Sequence, residues 1–455
     1  MTHREEVAAA FSRPVLGSGM NTRGRIRRDP TRLGAYIHFP YCLQKCDYCD
    51  FFSLGLGADA SLSRATLDDF VSGVLQELRE RAPDFENFKE LNTIYFGGGT
   101  SSLLPPERIE TILNALRSHF QFTPDAEITL EGNPENLTPE YLRALADLGV
   151  NRVNAGLQTF ERSYLEQMNR LYHAERYESI LDDLASSPIA NTGVDLIYGF
   201  PGQTPTEFRR DLERVLNAAP NHLSIYSLTM EEDSPYAGRV RRGLIRPPEE
   251  ETQQWIYSHL EEMLDGHDFS RYEISNYGRG GNFSRHNLRY WLGESCIGLG
   301  PGAHGGSVHE RYGNPRNIAL WRSRPGGAKK IPRVIGDEIA LNLLRLTLPF
   351  SPGLIAEQLQ EERRENPRKK AAQDAIPELR DDARRDVREK RARALLQDWV
   401  AQGLAVRTGA SDQARVAPAR EETEEELFLW LPEGTRFLDD RILEMSRALE
   451  DRDDP

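Results

Sequence analysis

Three of the four cysteines in this chain of 455 residues lie close together, in the stretch Tyr41-Cys-Leu-Gln-Lys-Cys-Asp-Tyr-Cys49. Three residues separate Cys42 from Cys46 and two separate Cys46 from Cys49, so one short loop can direct three thiolates toward a common centre. Thiolates hold iron–sulfur clusters, and a [4Fe–4S] cluster normally takes four of them. Three local cysteines therefore predict such a cluster, with one iron free for a ligand that is not protein.

Structural zinc is the alternative for this cysteine loop. Zinc usually takes four Cys or His ligands in paired spacing, and no second pair follows Cys49. His38 could complete a site, but its place in a predicted strand argues against that role. Lys45 and Asp47 make the loop polar and so disfavour a cluster of buried core cysteines. The remaining Cys296, alone in an apolar segment, resembles an inert buried cysteine and is given no role.

Composition excludes several classes of protein. A formal net charge of −14 and a pI near 5.4 argue against a nucleic-acid binder, which needs a basic face. No apolar run reaches the roughly 18–20 residues of a transmembrane helix, and the N-terminus lacks the apolar core of a secretory signal. We therefore expect a cytoplasmic protein. The basic residues 23–32 could contact anionic lipid, but disorder is the favoured interpretation.

Short apolar strands alternate with amphipathic helices from Leu33 onward. The predicted strands are Leu33–Phe39, Leu91–Phe96, Glu127–Glu131, Asn151–Ala155, Thr192–Tyr198 and His222–Leu228. Six strand–helix units in succession predict a parallel sheet with right-handed crossovers. Because eight units are not visible, the predicted fold class is α/β with a partial (β/α)6 barrel. Chemistry in such a barrel gathers at the carboxyl ends of the strands.

Polar or glycine-rich motifs follow the predicted strands at these ends. They are the cysteine loop, Gly97-Gly-Gly-Thr100, Glu131-Gly-Asn-Pro134, Gly156-Leu-Gln158, Asp195 and Tyr226. A glycine run alone is often only a turn, and each polar residue alone would more often make local hydrogen bonds. Their common position in a barrel predicts that they share one site.

The CxxxCxxC spacing, preceded by the strand Ala35–Pro40, resembles the signature of the radical S-adenosylmethionine (SAM) superfamily. More narrowly, YIHFPYC at 36–42 and the later motifs resemble the group that contains oxygen-independent coproporphyrinogen III oxidase and the HemW-type heme chaperones. This resemblance covers most of residues 34–305. It implies the partial barrel, a [4Fe–4S] cluster held by Cys42, Cys46 and Cys49, and SAM chelating the free iron. In that superfamily the cluster supplies the electron that cleaves SAM to a 5′-deoxyadenosyl radical.

The resemblance also implies which residues contact SAM. They are Tyr36, Tyr48, Gly98, Gly99, Thr100, Glu131, Gln158, Arg170 and Asp195. Ser101 stands where the group usually has proline. We expect this difference to change the stiffness of the loop more than its binding.

Two features distinguish the heme chaperones from the oxidase. The oxidase has a further cysteine two positions after the third, whereas Asp50 and Phe51 follow Cys49 here. His286-Asn-Leu-Arg-Tyr-Trp291 instead matches the HNxxYW motif that is associated with heme in HemW-type proteins. The match implies that heme contacts His286, Asn287, Tyr290 and Trp291, with the His286 imidazole as the candidate axial ligand. Without the resemblance, a structural histidine beside two packed aromatic residues would be favoured.

The resemblance therefore favours a heme chaperone that binds a [4Fe–4S] cluster, SAM and heme. It implies delivery of heme to acceptor hemoproteins, including membrane respiratory proteins, with peripheral association to the membrane and no coproporphyrinogen oxidase activity. The oxidase itself is the first alternative. A radical SAM enzyme with another class of substrate is the second.

Four regions are predicted along the chain. Residues 1–30 form a flexible N-terminal arm, residues 31–305 the radical SAM barrel with the heme motif, and residues 306–336 a linker. Residues 337–455 form a smaller, mainly helical C-terminal domain. The highly charged residues 357–393 interrupt this domain and predict a solvated helix pair or an exposed insertion.

Overall fold

The computed structural model describes residues 29–57, 61–307 and 310–331, positions 342, 345 and 346, and two strands at 405–408 and 427–430. Within these residues the chain forms an α/β structure around one large sheet, which confirms the predicted fold class. In the same part of the chain, no helix combines the length and the apolar composition needed to cross a membrane.

Strands and helices alternate along the described chain. The strands are β1 (Leu33–Phe39), β2 (Tyr41–Cys42), β3 (Leu54–Gly55), β4 (Glu90–Gly98), β5 (Gln121–Gly132), β6 (Arg152–Gln158), β7 (Asn191–Tyr198), β8 (His222–Ser227), β9 (Phe269–Arg271), β10 (Asn276–Arg279), β11 (Cys296–Leu299), β12 (His304–Gly306), β13 (Arg311–Gly313), β14 (Lys329–Ile331), β15 (Ala405–Thr408) and β16 (Leu427–Trp430). The α-helices are α1 (Arg64–Arg81), α2 (Pro106–His119), α3 (Pro139–Asp147), α4 (Arg162–Gln167), α5 (Ala174–Ala185), α6 (Pro205–Asn217), α7 (Pro235–Arg241), α8 (Glu250–Met263), α9 (Arg285–Trp291) and α10 (Ile318–Ser323).

The main sheet has 12 strands in the order β14-β13-β12-β11-β1-β4-β5-β6-β7-β8-β10-β9. The strands from β11 to β8 in this order are all parallel, and antiparallel strands flank them on both sides. Parallel strands place their carboxyl ends at one edge of the sheet. Among the described strands β8 and β11 do not pair, so the sheet stays open, as a partial barrel requires.

Burial explains the apolar character of the central strands. All residues of β1 except Tyr36 are buried, as expected for parallel strands that are covered on both faces. The helices contribute one apolar face each. In α2 this face consists of Ile109, Ile112, Leu113 and Leu116.

Local capping interactions set the start of several helices. The Thr138 side chain accepts a hydrogen bond from the Tyr141 N–H at the start of α3, which has Pro139 in its first turn. Thr204 and Glu207 form both hydrogen bonds of a capping box at the start of α6. These short-range interactions fix where each helix begins and so where the preceding loop lies.

Several boundaries differ from the prediction. Strand β5 begins at Gln121 rather than Glu127, because Gln121 and Phe122 pair with the start of β4. The helical stretch after β6 is divided into α4 and α5, and Asn169 between them has a positive φ of 54°, a conformation that ends helices. Strand β9 ends at Arg271, and the chain continues as strand β10 from Asn276.

A buried carboxylate joins α1 to the chain that follows β11. Glu77 has no solvent exposure, and its oxygens accept hydrogen bonds from Arg81 Nε at 2.8 Å, Asn314 Nδ2 at 2.7 Å, Gly300 N at 2.9 Å and Trp321 Nε1 at 2.8 Å. A buried charge is tolerated when it is paired and hydrogen-bonded. This network therefore holds α1, the β11–β12 turn and α10 together.

Much of the predicted arm and C-terminal domain, including the charged insertion 357–393, lies outside the described residues. Within the predicted linker, β13 and β14 extend the main sheet. Strands β15 and β16 pair with each other in antiparallel fashion. Arg345 Nε lies 2.7 Å from a carboxylate oxygen of Glu273, so this C-terminal position contacts the segment between β9 and β10.

Candidate functional site

A cavity of about 410 Å³ opens at the carboxyl ends of the parallel strands. Its wall contains all three loop cysteines, Cys42, Cys46 and Cys49. Of the residues predicted to contact SAM, it contains Tyr48, Gly98, Gly99, Thr100, Glu131, Gln158, Arg170 and Asp195. The volume falls in the range of small-molecule sites, roughly 300–1,000 Å³. The structure thus brings the cysteine loop and most of the predicted SAM residues into one site.

Contacts with two neighbouring segments hold the cysteine loop. The Asp47 N–H donates to the Met168 carbonyl at 2.9 Å, and the Tyr236 N–H donates to the Asp47 carbonyl at 3.0 Å. The Asp47 carboxylate accepts a hydrogen bond from Arg239 Nη1 at 2.7 Å. Asp47 therefore connects the loop to both α4 and α7, and sequence analysis identified it only as a polar loop residue.

Burial raises the pKa of two of the three loop thiols. Cys42 and Cys46 are buried. Burial and the neighbouring Cys46 raise the pKa of Cys49 to about 11, and burial raises the pKa of Cys42. Bound iron would stabilise the thiolates that burial disfavours. Among the described residues, no group of three or more His, Cys, Asp or Glu side chains is arranged to hold a single metal ion.

Arg170 places a buried positive charge between the cysteine loop and the strand ends. Its Nη1 lies 3.5 Å from the Cys46 sulfur and 3.4 Å from the Tyr48 hydroxyl. Its Nη2 donates to Asn133 Oδ1 at 3.1 Å and to the Gly156 carbonyl. The guanidinium therefore connects Cys46 to the ends of β5 and β6.

The glycine motif after β4 is required by close packing. Gly98 has a φ of +110°, and a Cβ there would lie 2.8 Å from the His38 ring. A Cβ on Gly99 would lie 2.6 Å from the Tyr41 carbonyl oxygen. Only glycine fits both positions, and the tight turn brings Thr100 beside the cysteine loop, where its N–H donates to the Tyr41 carbonyl at 2.8 Å.

Two carboxyl groups, those of Glu131 and Asp195, also line the cavity. Burial, with a smaller contribution from the nearby Asp195, raises the pKa of Glu131 to about 7. Burial also raises the pKa of Asp195, whose carboxylate accepts a hydrogen bond from Asn154 Nδ2 at 3.0 Å. Such groups can accept hydrogen bonds from ligand hydroxyl and amino groups.

Gln158 reaches the cavity through an irregularity in β6. The pairing of β6 with β7 shifts between Gly156 and Gln158, and Gln158 has a φ of +71°. Positive φ is uncommon for residues other than glycine, and bulges of this kind re-aim side chains at functional sites. The backbone here is strained in a way that turns Gln158 toward the site.

Tyr36 lies behind the cavity wall rather than on it. Its hydroxyl is hydrogen-bonded to His38 Nδ1 at 3.0 Å, and its ring lies 6.2 Å from the ring of Tyr95. The Tyr95 hydroxyl donates to the Glu131 carboxylate. Sequence analysis missed Tyr95. The available signal was its spacing: Tyr95 and Thr93 are two residues apart on one strand, so their side chains lie on the same face of the sheet.

The HNLRYW motif forms α9 at the opposite end of the barrel. The carboxylate of Glu127, which precedes the part of β5 that pairs with β6, accepts hydrogen bonds from the backbone N–H groups of Arg285 and His286 at 3.1 and 3.0 Å. Arg289 Nη1 donates to the Arg32 carbonyl at 3.1 Å, just before β1. These contacts place α9 at the amino ends of the parallel strands.

His286 is enclosed in this position, with 1% of its surface exposed. Its Nδ1 is hydrogen-bonded to Thr93 Oγ1 and its Nε2 to the Tyr290 hydroxyl, both at 2.9 Å. Burial holds the pKa of His286 well below its usual value, so the ring is neutral. The imidazole therefore has the protonation state that iron ligation needs, but both nitrogens are engaged.

The other predicted heme residues, Asn287, Tyr290 and Trp291, are partly buried. The Asn287 N–H donates to the Ser284 side chain in the helix cap. The Trp291 ring lies 4.4 Å from the Arg345 guanidinium. His286, Asn287, Tyr290 and Trp291 do not line the cavity that holds most of the predicted SAM residues. Tyr36, a predicted SAM residue that also lies outside this cavity, has its ring centroid 6.3 Å from that of His286.

Comparison with known proteins agrees with this architecture. The Radical SAM superfamily model matches residues 36–215. Coproporphyrinogen III oxidase (HemN) from Escherichia coli, a radical SAM enzyme, has a similar fold, with a TM-score of 0.66 and 19% identity over 92% of this chain and 91% of that one. Fold and site together define a radical SAM protein.

Relatives at higher identity narrow the assignment. Heme chaperone HemW of Lactococcus lactis is 34% identical over 280 residues, which are 62% of this chain and 71% of that protein. Heme chaperone HemW of Mycobacterium tuberculosis is 35% identical over 295 residues, which are 65% of this chain and 75% of that protein. The chain belongs to the HemW-type family of the radical SAM superfamily.

Proposed function

We propose that this protein is a heme chaperone that holds a [4Fe–4S] cluster through Cys42, Cys46 and Cys49 and binds SAM in the adjoining cavity. The observation that carries this proposal is the convergence of the three cysteines and eight predicted SAM residues on one cavity of about 410 Å³. The HemW relatives support the heme part, because they are named as heme chaperones.

Each wall of the cavity has a proposed part in binding SAM. When bound, the cluster would supply an iron for SAM to chelate and an electron for its cleavage. Gly98 and Gly99 let the backbone approach the methionyl end without a side chain in the way. Glu131 and Asp195 accept hydrogen bonds from SAM, and Arg170 partly neutralises the thiolate of Cys46.

Heme is the proposed cargo, and acceptor hemoproteins are the proposed partners. The HNLRYW motif is the proposed contact, with His286 as a ligand to the iron. Acceptors would include membrane respiratory proteins, reached from the cytoplasm by peripheral association. The proposal for His286 requires its nitrogens to exchange the hydrogen bonds to Thr93 or Tyr290 for a bond to iron.

An anaerobic coproporphyrinogen III oxidase is the second candidate, because the E. coli enzyme shares the fold over most of both chains. At 19% identity this likeness concerns the fold alone. Asp50 and Phe51 after Cys49 count against the oxidase, which by resemblance has a further cysteine there. Incubation with coproporphyrinogen III, SAM and a reductant tests it, and formation of protoporphyrinogen IX would replace the chaperone proposal. SAM cleavage that an unrelated substrate stimulates, without heme affinity, would favour another radical SAM enzyme.

The chaperone proposal is tested on the full chain after anaerobic reconstitution with iron and sulfide. Iron and sulfide content is measured for the wild type, Cys46→Ala and Cys296→Ala. Cys296 is a matched control, since it is equally buried but lies outside the cavity. We expect Cys46→Ala to lose the cluster and Cys296→Ala to keep it.

Heme is then titrated into the wild type and His286→Ala at equal cluster content, following the Soret band. Stoichiometric binding that weakens in the variant is expected. Heme binding that is unchanged in the variant would support the chaperone function but show that heme binds at a site that does not need His286. Absence of specific heme binding by the wild type would rule out the chaperone.

A further inference from the structure

Tyr95 contacts both the SAM cavity and the heme motif. Its hydroxyl donates to the carboxylate of Glu131 on the cavity wall. Its ring stacks on His286, with the centroids 4.9 Å apart and the planes 26° from parallel. Tyr95 is 7% exposed, so a buried side chain joins the two ends of the barrel directly.

His286 holds Tyr95 only while its own hydrogen bonds are intact. Thr93 and Tyr290 fix the two ring nitrogens, and the Tyr290 ring packs edge-on at 5.1 Å. Iron takes the lone pair of one imidazole nitrogen. Because both nitrogens are occupied and the ring is enclosed, ligation of heme iron must pull His286 away from Thr93 or Tyr290. The stack on Tyr95 is lost with that movement.

Loss of this stack affects the SAM cavity through Glu131. The Tyr95 hydroxyl and the Gly98 N–H are the donors that lower the pKa of this buried carboxyl group. When Tyr95 moves away, Glu131 loses the hydrogen bond from the Tyr95 hydroxyl and keeps the one from the Gly98 N–H. Its orientation toward the cavity then becomes less defined, and a ligand that depends on Glu131 binds less tightly.

We propose that Tyr95 is a positioning residue that couples α9 to the cavity, so that heme ligation by His286 weakens SAM binding. By linkage, bound SAM weakens heme binding by the same factor. This inference rests on the proposed function, because it requires both ligands. It adds that the protein favours one ligand at a time: SAM with α9 docked, or heme with His286 displaced.

The test measures both directions of the coupling on the anaerobically reconstituted full chain. SAM affinity is measured by equilibrium dialysis with and without saturating hemin. Hemin affinity is measured by Soret titration with and without saturating SAM. Coupling between linked sites typically changes affinity by about 5- to 150-fold. We expect each ligand to weaken the other by about 10-fold.

Tyr95→Phe tests the route of the coupling. The variant keeps the ring that packs on His286 but lacks the hydroxyl that holds Glu131, so the coupling factor should fall to near one, whatever the separate affinities become. Tyr277→Phe is the matched control. Tyr277 is also buried, and its hydroxyl has no hydrogen-bond partner among the described residues. This control should keep the wild-type coupling factor.

The outcomes separate this inference from the function on which it rests. Heme binding that needs His286 but leaves SAM affinity unchanged would overturn the coupling and leave the chaperone intact. Heme binding that His286→Ala does not alter would also overturn it, because the route through Tyr95 would not be used. Full coupling in Tyr95→Phe would remove Tyr95 from the route. Failure of the wild type to bind heme would overturn the proposed function itself.

Discussion

The guanidinium of Arg170 lies 3.5 Å from the sulfur of Cys46, with both side chains buried. Arg170 thus places a positively charged side chain within hydrogen-bonding distance of one cysteine in the Cys42–Cys49 loop. Positive charge and hydrogen bonds at the sulfurs raise the reduction potential of an iron–sulfur cluster, because the reduced cluster carries more negative charge.

Removal of this charge should therefore lower the potential of the cluster. For Arg170→Met we expect a fall on the order of 50 mV, roughly 1 kcal/mol for one electron, measured by redox titration with EPR detection. Arg162→Met is the control, since Arg162 is largely exposed. An equal potential in the wild type and Arg170→Met would contradict this role.

The Asp47–Arg239 pair should hold the cysteine loop in place. Its side chains are 12% and 28% exposed, and hydrogen bonds between charged groups contribute about 1.5–3 kcal/mol when partly buried. We expect Arg239→Met to lower the free energy of unfolding by about 1–2 kcal/mol and to speed the loss of iron to a chelator.

The exposed Arg162–Glu166 ion pair is the control for the partly buried Asp47–Arg239 ion pair. Its side chains are 69% and 56% exposed, so Glu166→Gln should change the free energy of unfolding by less than about 0.5 kcal/mol. If both variants released iron at the wild-type rate, the Asp47 contact would not stabilise the loop.

Glu77 should be among the most sensitive buried polar positions. Glu77→Gln keeps the volume but leaves Arg81 without its buried ion pair, and breaking such a pair costs about 3–5 kcal/mol. We expect a loss of that size in chemical unfolding. Glu80→Gln, on the exposed face of the same helix, should stay within about 0.5 kcal/mol. Similar small losses for both variants would argue against the network.

Glu131 predicts a pH dependence of stability in the ligand-free protein. Its folded-state pKa of about 7 lies above its ordinary value of 4.5, so the folded chain binds this proton more tightly than the unfolded chain. The stabilisation is complete below about pH 4.5 and is lost as the pH rises through 7. Between pH 5 and 8 the wild type should lose about 2 kcal/mol relative to Glu131→Gln.

Urea unfolding of both proteins at several pH values measures this difference. The difference in unfolding free energy between the two proteins should change with pH through the titration of Glu131, because the variant keeps every other ionisable group. The wild type should become less stable relative to the variant as the pH rises. Parallel pH profiles for the wild type and Glu131→Gln would show that the carboxyl group titrates normally in the folded protein.

The general architecture could be predicted from local patterns. The bounds of β1 match the apolar run Leu33–Phe39, and Thr138 and Thr204 cap helices as their side chains predict. Most of the cavity wall could also be predicted, because residues at the carboxyl ends of consecutive parallel strands must come together. The cysteine spacing then identified which end of the barrel carries the site.

Contacts between distant segments could not be predicted in this way. Strand β11 pairs with β1 across most of the barrel sequence, and periodicity carries no signal for such a pairing. The position of α9 depends on Glu127, which a strand pattern shows only as a polar residue. Tyr36, which is predicted to contact SAM, packs against Tyr95 and does not line the cavity.

The strained backbone at Gln158 implies that selection for thermal stability and selection for cofactor binding favour different residues at this position. Its φ of +71° would be relaxed by glycine or asparagine, which adopt this conformation at lower cost. In a library of random variants screened only for thermal resistance, those two residues should accumulate at position 158. In a library screened for retention of cofactor, glutamine should persist. The strain at the end of β6 thus marks a place where evolution for durability and evolution for activity would lead to different sequences.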